Sequence, residues 1–168
     1  PISALVSLGI AIGTSTPSIH ATTTTATGLW NLTIPGGHSI ATSTPILIWT
    51  DATSTLRASL FTKASSSINN ITGLNLFQNR LIVSHEGATS TGTTTRTTDL
   101  AFYDKDNDSD IQFTSNSGVL SVLGNQALHL KSGKIFEASG IVNASSSVLI
   151  DTNATLRAST TMYLGGNY

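Results

Sequence analysis

Four aspartates that alternate along one short segment are the residues whose type and spacing best suit chemistry. Asp104, Asp106, Asp108 and Asp110 lie in the run DKDNDSD. Carboxylates this close repel one another unless water or a cation separates them, and Ca²⁺ prefers oxygen ligands of this kind. The run is therefore a candidate for a structural calcium site, and no other cofactor is predicted.

The same run also fits the exposed tip of a hairpin. Counted from Asp104, the aspartates occupy the first, third and fifth positions of a calcium-binding loop. Ser109 stands where an EF-hand has glycine and Ser115 where it has glutamate, so an EF-hand is excluded. In the hairpin interpretation, the arms are Leu100–Tyr103 and Ile111–Phe113. The sequence leaves both interpretations open.

Five Asn-x-Ser/Thr sequons add a second kind of candidate site, for glycosylation of a secreted protein. They are at Asn31, Asn70, Asn107, Asn143 and Asn153.

No group of residues has the spacing of a catalytic centre. The four histidines are isolated, and the pair His85-Glu86 is expected on an exposed loop. The chain contains no Gly-x-Ser-x-Gly elbow and no phosphate-binding glycine loop. We therefore predict that the chain is not an enzyme.

Aromatic residues offer two interpretations, a sugar-stacking platform or core and interface packing. They are Trp30, Trp49, Tyr103, Tyr163 and Tyr168.

The composition excludes several classes of partner. Only 10% of the 168 residues are charged and the net charge is −1, so there is no basic surface for nucleic acid or for anionic lipid. No apolar run reaches the roughly 18 residues of a membrane span. The absence of cysteine excludes disulfides and thiolate metal sites. Thr and Ser make up close to a third of the chain, and β-branched Thr favours strands.

The first thirteen residues, PISALVSLGIAIG, alternate between apolar and mostly small side chains. This period of two predicts a strand with one buried face. The strand is either an ordinary first strand of the domain or a strand that is added to the sheet of a neighbouring subunit. In the second case the assembly residues are Ile2, Ala4, Val6, Leu8, Ile10 and Ile12. Residues 14–28 are predicted to be a Thr-rich linker, and residues 29–168 an all-β body.

From Ser117 onward the sequence falls into units of seven residues. The fifth position of each unit reads Ser121, Leu128, Ile135, Val142, Leu149, Leu156 and Tyr163. Short strands joined by tight turns give this spacing, whereas the Gly, Ser and Thr content does not suit a helix. We expect a β-sandwich or jelly-roll-like domain. The alternative is a short-strand β-solenoid with about seven residues per strand-turn unit, which buries one central aliphatic residue per strand.

A longer internal similarity links two segments a hundred residues apart. Residues 51–59 read DATSTLRAS and residues 151–159 read DTNATLRAS, each after an aliphatic stretch. The similarity predicts two related β units.

The alternating segment with its Thr-rich tether resembles the donor strand of extracellular filament subunits that polymerise by donor-strand exchange. That group includes chaperone–usher pilins and surface fibres with jelly-roll subunits. The resemblance covers about 28 residues, and it implies that the apolar face of residues 1–13 fills pockets of the next subunit. The chain departs from the disulfide-bearing usher pilins because it has no cysteine.

A shorter resemblance concerns the residues Ile12-Gly13-Thr14-Ser15-Thr16-Pro17. They are similar to the Ile-Gly-Thr-x-x-Pro repeats of bacterial surface and phage tail-fibre-like proteins. Both resemblances imply a passive extracellular protein. We therefore expect a secreted, homopolymeric structural subunit of a pilus-like fibre, extended by strand addition. The alternative is a tail-fibre-like or adhesin module that binds surface glycans.

Overall fold

The chain is all-β in the computed structural model, as predicted. The structure describes residues 5–13, 17–34, 40–51, 55–65, 71–86 and 94–165. Its strands are β1 (Ser7–Ile12), β2 (Ser18–Thr23), β3 (Pro45–Thr50), β4 (Ala58–Lys63), β5 (Arg80–Val83), β6 (Thr94–Arg96), β7 (Phe113–Asn116), β8 (Val119–Val122), β9 (Ala127–Leu130), β10 (Ile135–Ala138), β11 (Val142–Ala144), β12 (Val148–Ile150), β13 (Thr155–Ala158) and β14 (Met162–Leu164). A four-residue helix, α1 (Thr97–Leu100), follows β6. Within those ranges no helix is long and apolar enough to cross a membrane.

β5, β6 and β8 to β14 form a β-solenoid, in which short parallel strands visit three sheets in turn. β9, β10 and β11 make one coil, and β12, β13 and β14 make the next. Each strand pairs in parallel with the strand one coil earlier, so that Leu128 lies opposite Val148 and Val142 lies opposite Met162. A full coil between these strands therefore takes twenty residues.

The sandwich or jelly-roll expectation is wrong, and the solenoid alternative with about seven residues per strand-turn unit is confirmed. A sandwich built from hairpins would pair chain neighbours antiparallel. From β9 to β14, no described strand pairs with its neighbour in the chain. The corners contain residues with a left-handed backbone, such as Gly133 (φ 70°) and Asn153 (φ 60°). These corners turn the chain onto the next sheet instead of reversing it.

The seven-residue units do not bury one central aliphatic residue per strand. Leu128, Val142 and Leu156 face the interior, whereas Leu149 and Tyr163 face outward. Successive fifth positions lie seven residues apart, which is an odd number. Because side chains in a strand change face at every residue, these positions do not all lie on the same face. Most of these strands instead direct two side chains inward, as Leu128 and Leu130 do in β9.

The first sheet of the solenoid extends beyond it into a seven-stranded sheet with the order β12-β9-β5-β4-β3-β1-β2. Its strands are parallel from β12 to β4 and antiparallel from β4 to β2. The sheet buries both faces. One face lines the solenoid interior with residues such as Leu47 and Phe61, and the other packs Ile48 and Leu60 under segments near residues 30–34 and 71–77.

β1 is an interior strand of this sheet, with β2 on one side and β3 on the other. The ordinary-first-strand interpretation therefore describes its place in the single chain. Of the proposed assembly residues, Val6, Leu8, Ile10 and Ile12 are buried in the chain's own second core. Ile2 and Ala4 lie outside the described residues. The predicted linker is wrong in part, because its residues 18–23 form β2.

The pairing of β1 with β3 depends on the absence of a side chain at one residue. Gly9 lies opposite Trp49, and a Cβ atom at Gly9 would lie 2.3 Å from two carbons of the indole ring. Trp49 is 1% exposed and stacks on Tyr103, with ring centroids 5.3 Å apart. Gly9 thus makes room for the largest side chain of the solenoid core.

We predict that Gly9→Ala lowers the free energy of unfolding by about 1–3 kcal/mol, the usual cost of overpacking a core. The measurement is urea denaturation followed by tryptophan fluorescence. Ser7→Ala, at an exposed position of the same strand, is the matched control and should change stability by less than about 0.5 kcal/mol. Equal stability of Gly9→Ala and wild type would contradict the close contact between Gly9 and Trp49.

Candidate functional site

The acidic run is an insertion in the first coil, between β6 and β8. Asp104 is buried, and its carboxylate accepts hydrogen bonds from the backbone N–H groups of Asp106 (2.9 Å) and Ser115 (2.7 Å). The Asp106 carboxylate accepts a hydrogen bond from the Asn116 side chain at 2.8 Å. These two aspartates therefore hold the turn together and do not converge on a common point.

The hairpin interpretation of the acidic run is wrong. The expected first arm is divided between α1, which ends at Leu100, and a turn. Of the expected second arm, only Phe113 belongs to a strand. Short local turns fold residues 101–112, because Asp and Asn side chains bind backbone N–H groups two or three residues away.

Asp108 and Asp110 do meet, and the third carboxylate beside them is that of Asp51, which follows β3. One oxygen of each lies within 4.8 Å of the others. Arg57 forms an ion pair with Asp110 and already supplies one positive charge. Burial and the charges of Asp108 and Asp51 raise the pKa of the nearby Tyr103. This trio has the oxygen donors that Ca²⁺ prefers, so the calcium hypothesis now concerns Asp51, Asp108 and Asp110.

The sequons have different surroundings. Asn31, Asn107 and Asn153 are exposed. Asn143 is half-buried in β11 and donates a hydrogen bond to Ser121 at 3.2 Å. Asn70 lies outside the described residues.

His85 was expected on an exposed loop, and the structure buries it at 2% exposure. Burial and the charges of Lys63 and Lys134 lower its pKa to about 4, so the imidazole is neutral at neutral pH. His85 lines a cleft of about 180 Å³ that also contains Glu86. A neutral imidazole can donate or accept a hydrogen bond, but it adds no charge to the cleft.

The predicted aromatic platform does not form from the two tryptophans. Trp49 is buried in the solenoid core. Trp30 is half-buried and lines a cavity of only about 20 Å³ with Leu8 and Leu74. Tyr163 is exposed on β14, and Tyr168 lies outside the described residues.

A charged cluster that the sequence did not reveal ties the last coil to the coil before it. His129 on β9 is 3% exposed and lies 2.8 Å from the carboxylate of Asp151, which follows β12. Lys131 binds the other oxygen of Asp151 at 3.0 Å. The hydrogen bond with His129 is the main cause that lowers the pKa of Asp151 to about 2. The coil length of twenty residues is the signal that could have placed these residues together.

The last coil presents an apolar edge. Leu130 is 1% exposed, whereas Ile150, its partner one coil later, faces the same interior and is 52% exposed. Leu156 and Met162 are likewise more exposed than the buried Phe136 and Val142 beneath them. β12, β13 and β14 are each the last strand of their sheet in the described part of the chain. Each can therefore accept another strand.

In comparisons with protein-family models, curated protein sequences and solved structures, nothing matched this chain. The function of the chain is therefore inferred from its geometry alone. Two features stand out in that geometry: the carboxylate trio beside Arg57 and the open apolar edge of the last coil.

We predict that Ca²⁺ raises the melting temperature and that EDTA reverses the rise, because a bound cation separates Asp51, Asp108 and Asp110. Saturation at a hundredfold excess over Kd would stabilise the fold by about 2.7 kcal/mol. Asp108→Asn should remove the response, and Asp106→Asn, outside the trio, should keep it. Identical melting curves in Ca²⁺ and in EDTA would contradict the calcium site. Arg57 would then be the cation that balances the charge of the trio.

We also predict that Asp151 makes stability depend on acid pH. Folding lowers the pKa of Asp151 from its ordinary 3.8 to about 2, so the charged carboxylate stabilises the fold above that ordinary value. This contribution is lost as the pH falls towards 2. Asp151→Asn should therefore lower the melting temperature near neutral pH, and the difference from wild type should shrink as the pH approaches 2.

Thr152→Ala, in the same exposed turn, is the control for this experiment and should follow wild type at every pH. Its backbone oxygen keeps the hydrogen bond from Ser132. If the melting temperatures of wild type and Asp151→Asn differ by the same amount at neutral pH and at pH 2, the lowered pKa of Asp151 is not the cause of the difference.

Proposed function

We propose that the chain is a structural subunit of an extracellular fibre, and that copies join by strand addition at the two open edges of the seven-stranded sheet. The proposal rests on the exposure of an isoleucine on each of these edge strands. Ile150 on β12 is 52% exposed and Ile19 on β2 is 51% exposed. Both strands are terminal in the sheet order of the described residues.

Neither edge strand carries a formally charged residue or a proline that would protect it against association. Proteins commonly place charged residues, proline or a bulge on an edge strand to prevent pairing with another chain. β2 reads SIHATT and β12 reads VLI, without a Lys, Arg, Asp, Glu or Pro in either. Strand addition at both edges would continue one sheet through successive copies, which is the geometry of a fibre.

Strand addition gains free energy from the burial of apolar side chains and from new backbone hydrogen bonds. Full burial of an isoleucine side chain contributes about 1.5–3 kcal/mol, and each half-exposed isoleucine gains part of this. Each new backbone hydrogen bond contributes about 0.5–1.5 kcal/mol. These terms act against the entropy lost on association.

Donation of β1 to a neighbouring subunit stays a prediction, and it requires β1 to leave its place between β2 and β3. The open edges at β2 and β12 need no such rearrangement. Strand addition at these edges is therefore the simpler form of the fibre hypothesis.

Two further observations support the extracellular and structural parts of the proposal. The exposed sequons at Asn31, Asn107 and Asn153 are compatible with a secreted glycoprotein. The burial of Trp49 removes one half of the tryptophan platform on which the glycan-binding alternative depends. No observation in the described residues favours that alternative over the fibre.

We predict that the purified chain forms filaments in electron micrographs, and that Ile150→Asp and Ile19→Asp each stop their growth. An aspartate at either edge would be buried without a counter-charge when a strand is added. Leu29→Asp is the matched control, since Leu29 is 70% exposed but lies outside the strands. This control should form filaments of normal length.

A chain that stays monomeric at all concentrations tested would contradict the proposed function. Filaments of wild-type length from both edge variants would contradict the edge mechanism.

A further inference from the structure

The cleft beside His85 lies where two corners of the solenoid meet a covering segment. The corner after β5 (residues 84–86) and the corner after β9 (residues 131–134) form much of its wall, and residues 72–75 and Leu60 complete it. Its volume of about 180 Å³ is below the roughly 300–1,000 Å³ of a pocket for a drug-sized ligand. The cleft therefore suits a smaller molecule.

Two lysines of this wall offer hydrogen-bond donors to such a molecule. A lysine ammonium group has three N–H donors and no acceptor. Lys131 binds Asp151 at 3.0 Å, which takes one of its three donors, and Lys134 is half-buried in the same cleft. The acidic residue of the lining, Glu86, accepts a hydrogen bond from the Thr62 hydroxyl at 2.9 Å. The lining thus carries more positive than negative side chains.

The charges around His85 make the electrostatic potential at its imidazole positive. Burial is the main cause of its lowered pKa, the charges of Lys63 and Lys134 add to the lowering, and the opposing effect of Asp99 is smaller than either. His85 is 2% exposed, and its neutral ring can donate a hydrogen bond without adding charge. A positive potential in a cleft favours an anion over a cation.

The cleft also has an apolar part, formed by Leu60 and Leu74. Both belong to the second core, where Leu60 is buried and Leu74 is half-buried. An inorganic dianion such as phosphate would leave these side chains without an apolar partner and would bring two negative charges towards Glu86. A ligand with one negative charge and a short alkyl chain satisfies both parts of the cleft.

We propose that this cleft binds a short-chain aliphatic carboxylate. The carboxylate oxygens accept hydrogen bonds from the Lys134 ammonium group and the His85 imidazole, and the alkyl chain contacts Leu60 and Leu74. No lining residue of the cleft belongs to the edge strands β2 and β12. The proposal therefore goes beyond the fibre function and does not depend on it.

Titration of the purified chain with sodium butyrate at neutral pH, followed by NMR of ¹³C-labelled histidine, tests the proposal. Butyrate should shift the assigned imidazole signal of His85 in a saturable manner. Butyramide has the same alkyl chain without the charge. It should bind at least about tenfold more weakly, because it cannot form the charge-assisted hydrogen bond with the lysine.

A pair of lysine variants tests the position of the carboxylate. Lys134→Gln should weaken butyrate binding at least about tenfold, whereas Lys105→Gln, outside the cleft, should bind butyrate as wild type does. An unmoved His85 signal, equal binding of butyrate and butyramide, or unchanged affinity in Lys134→Gln would each overturn the site. Inorganic phosphate that binds as tightly as butyrate would overturn the choice of an aliphatic ligand. Filament growth is measured separately, so none of these results bears on the fibre proposal.

Discussion

A coil of a β-solenoid is stabilised only between neighbours, and this constraint determines most of the molecule. Each short strand has backbone hydrogen-bonding groups on both edges and inward side chains that must touch the coils above and below. β9 meets this requirement between β5 and β12. On the N-terminal side, the first sheet continues through β4, β3, β1 and β2. Within the part of the chain that the structure describes, the last coil has a neighbour on one side only.

The acidic insertion connects the first coil to the antiparallel strands of the long sheet. The acidic insertion leaves the solenoid after β6 and returns at β8, and it carries Phe102 and Tyr103 onto the core. Tyr103 covers Trp49, which in turn fills the space above Gly9. The interior of the solenoid and the antiparallel half of the long sheet are therefore one continuous packing unit.

The sequence predicts the strands well and their partners poorly. The unit of about seven residues follows from local turns, and it appears as expected between β9 and β14. The parallel pairing does not follow, because residues such as Leu128 and Val148 meet only once the corners have turned the chain. The same limit applies to the sites. The aspartate run was evident, but the third carboxylate, Asp51, and the His129–Asp151 pair depend on tertiary placement.

The two similar segments show this limit most directly. Leu156 and Arg157 lie within strand β13, whereas Leu56 and Arg57 lie just before β4. In both segments the aspartate follows a strand, yet Asp51 joins the acidic insertion and Asp151 binds His129 and Lys131. Two similar segments thus take different places in the fold, because the first joins two antiparallel strands and the second belongs to a coil with parallel pairing.

Most ion pairs of the described residues attach a turn, helix or coil to a sheet, and none of them involves a residue of the edge strands β2 and β12. Arg57 holds the acidic turn through Asp110, Lys63 holds α1 through Asp99, and Lys131 holds the last coil through Asp151. These pairs anchor segments to the sheets and leave both edges of the long sheet without charge in their strands. Desolvating a charge at such an edge would cost more than the strand could regain. The absence of Lys, Arg, Asp and Glu from β2 and β12 therefore keeps the desolvation cost of strand addition at these strands low.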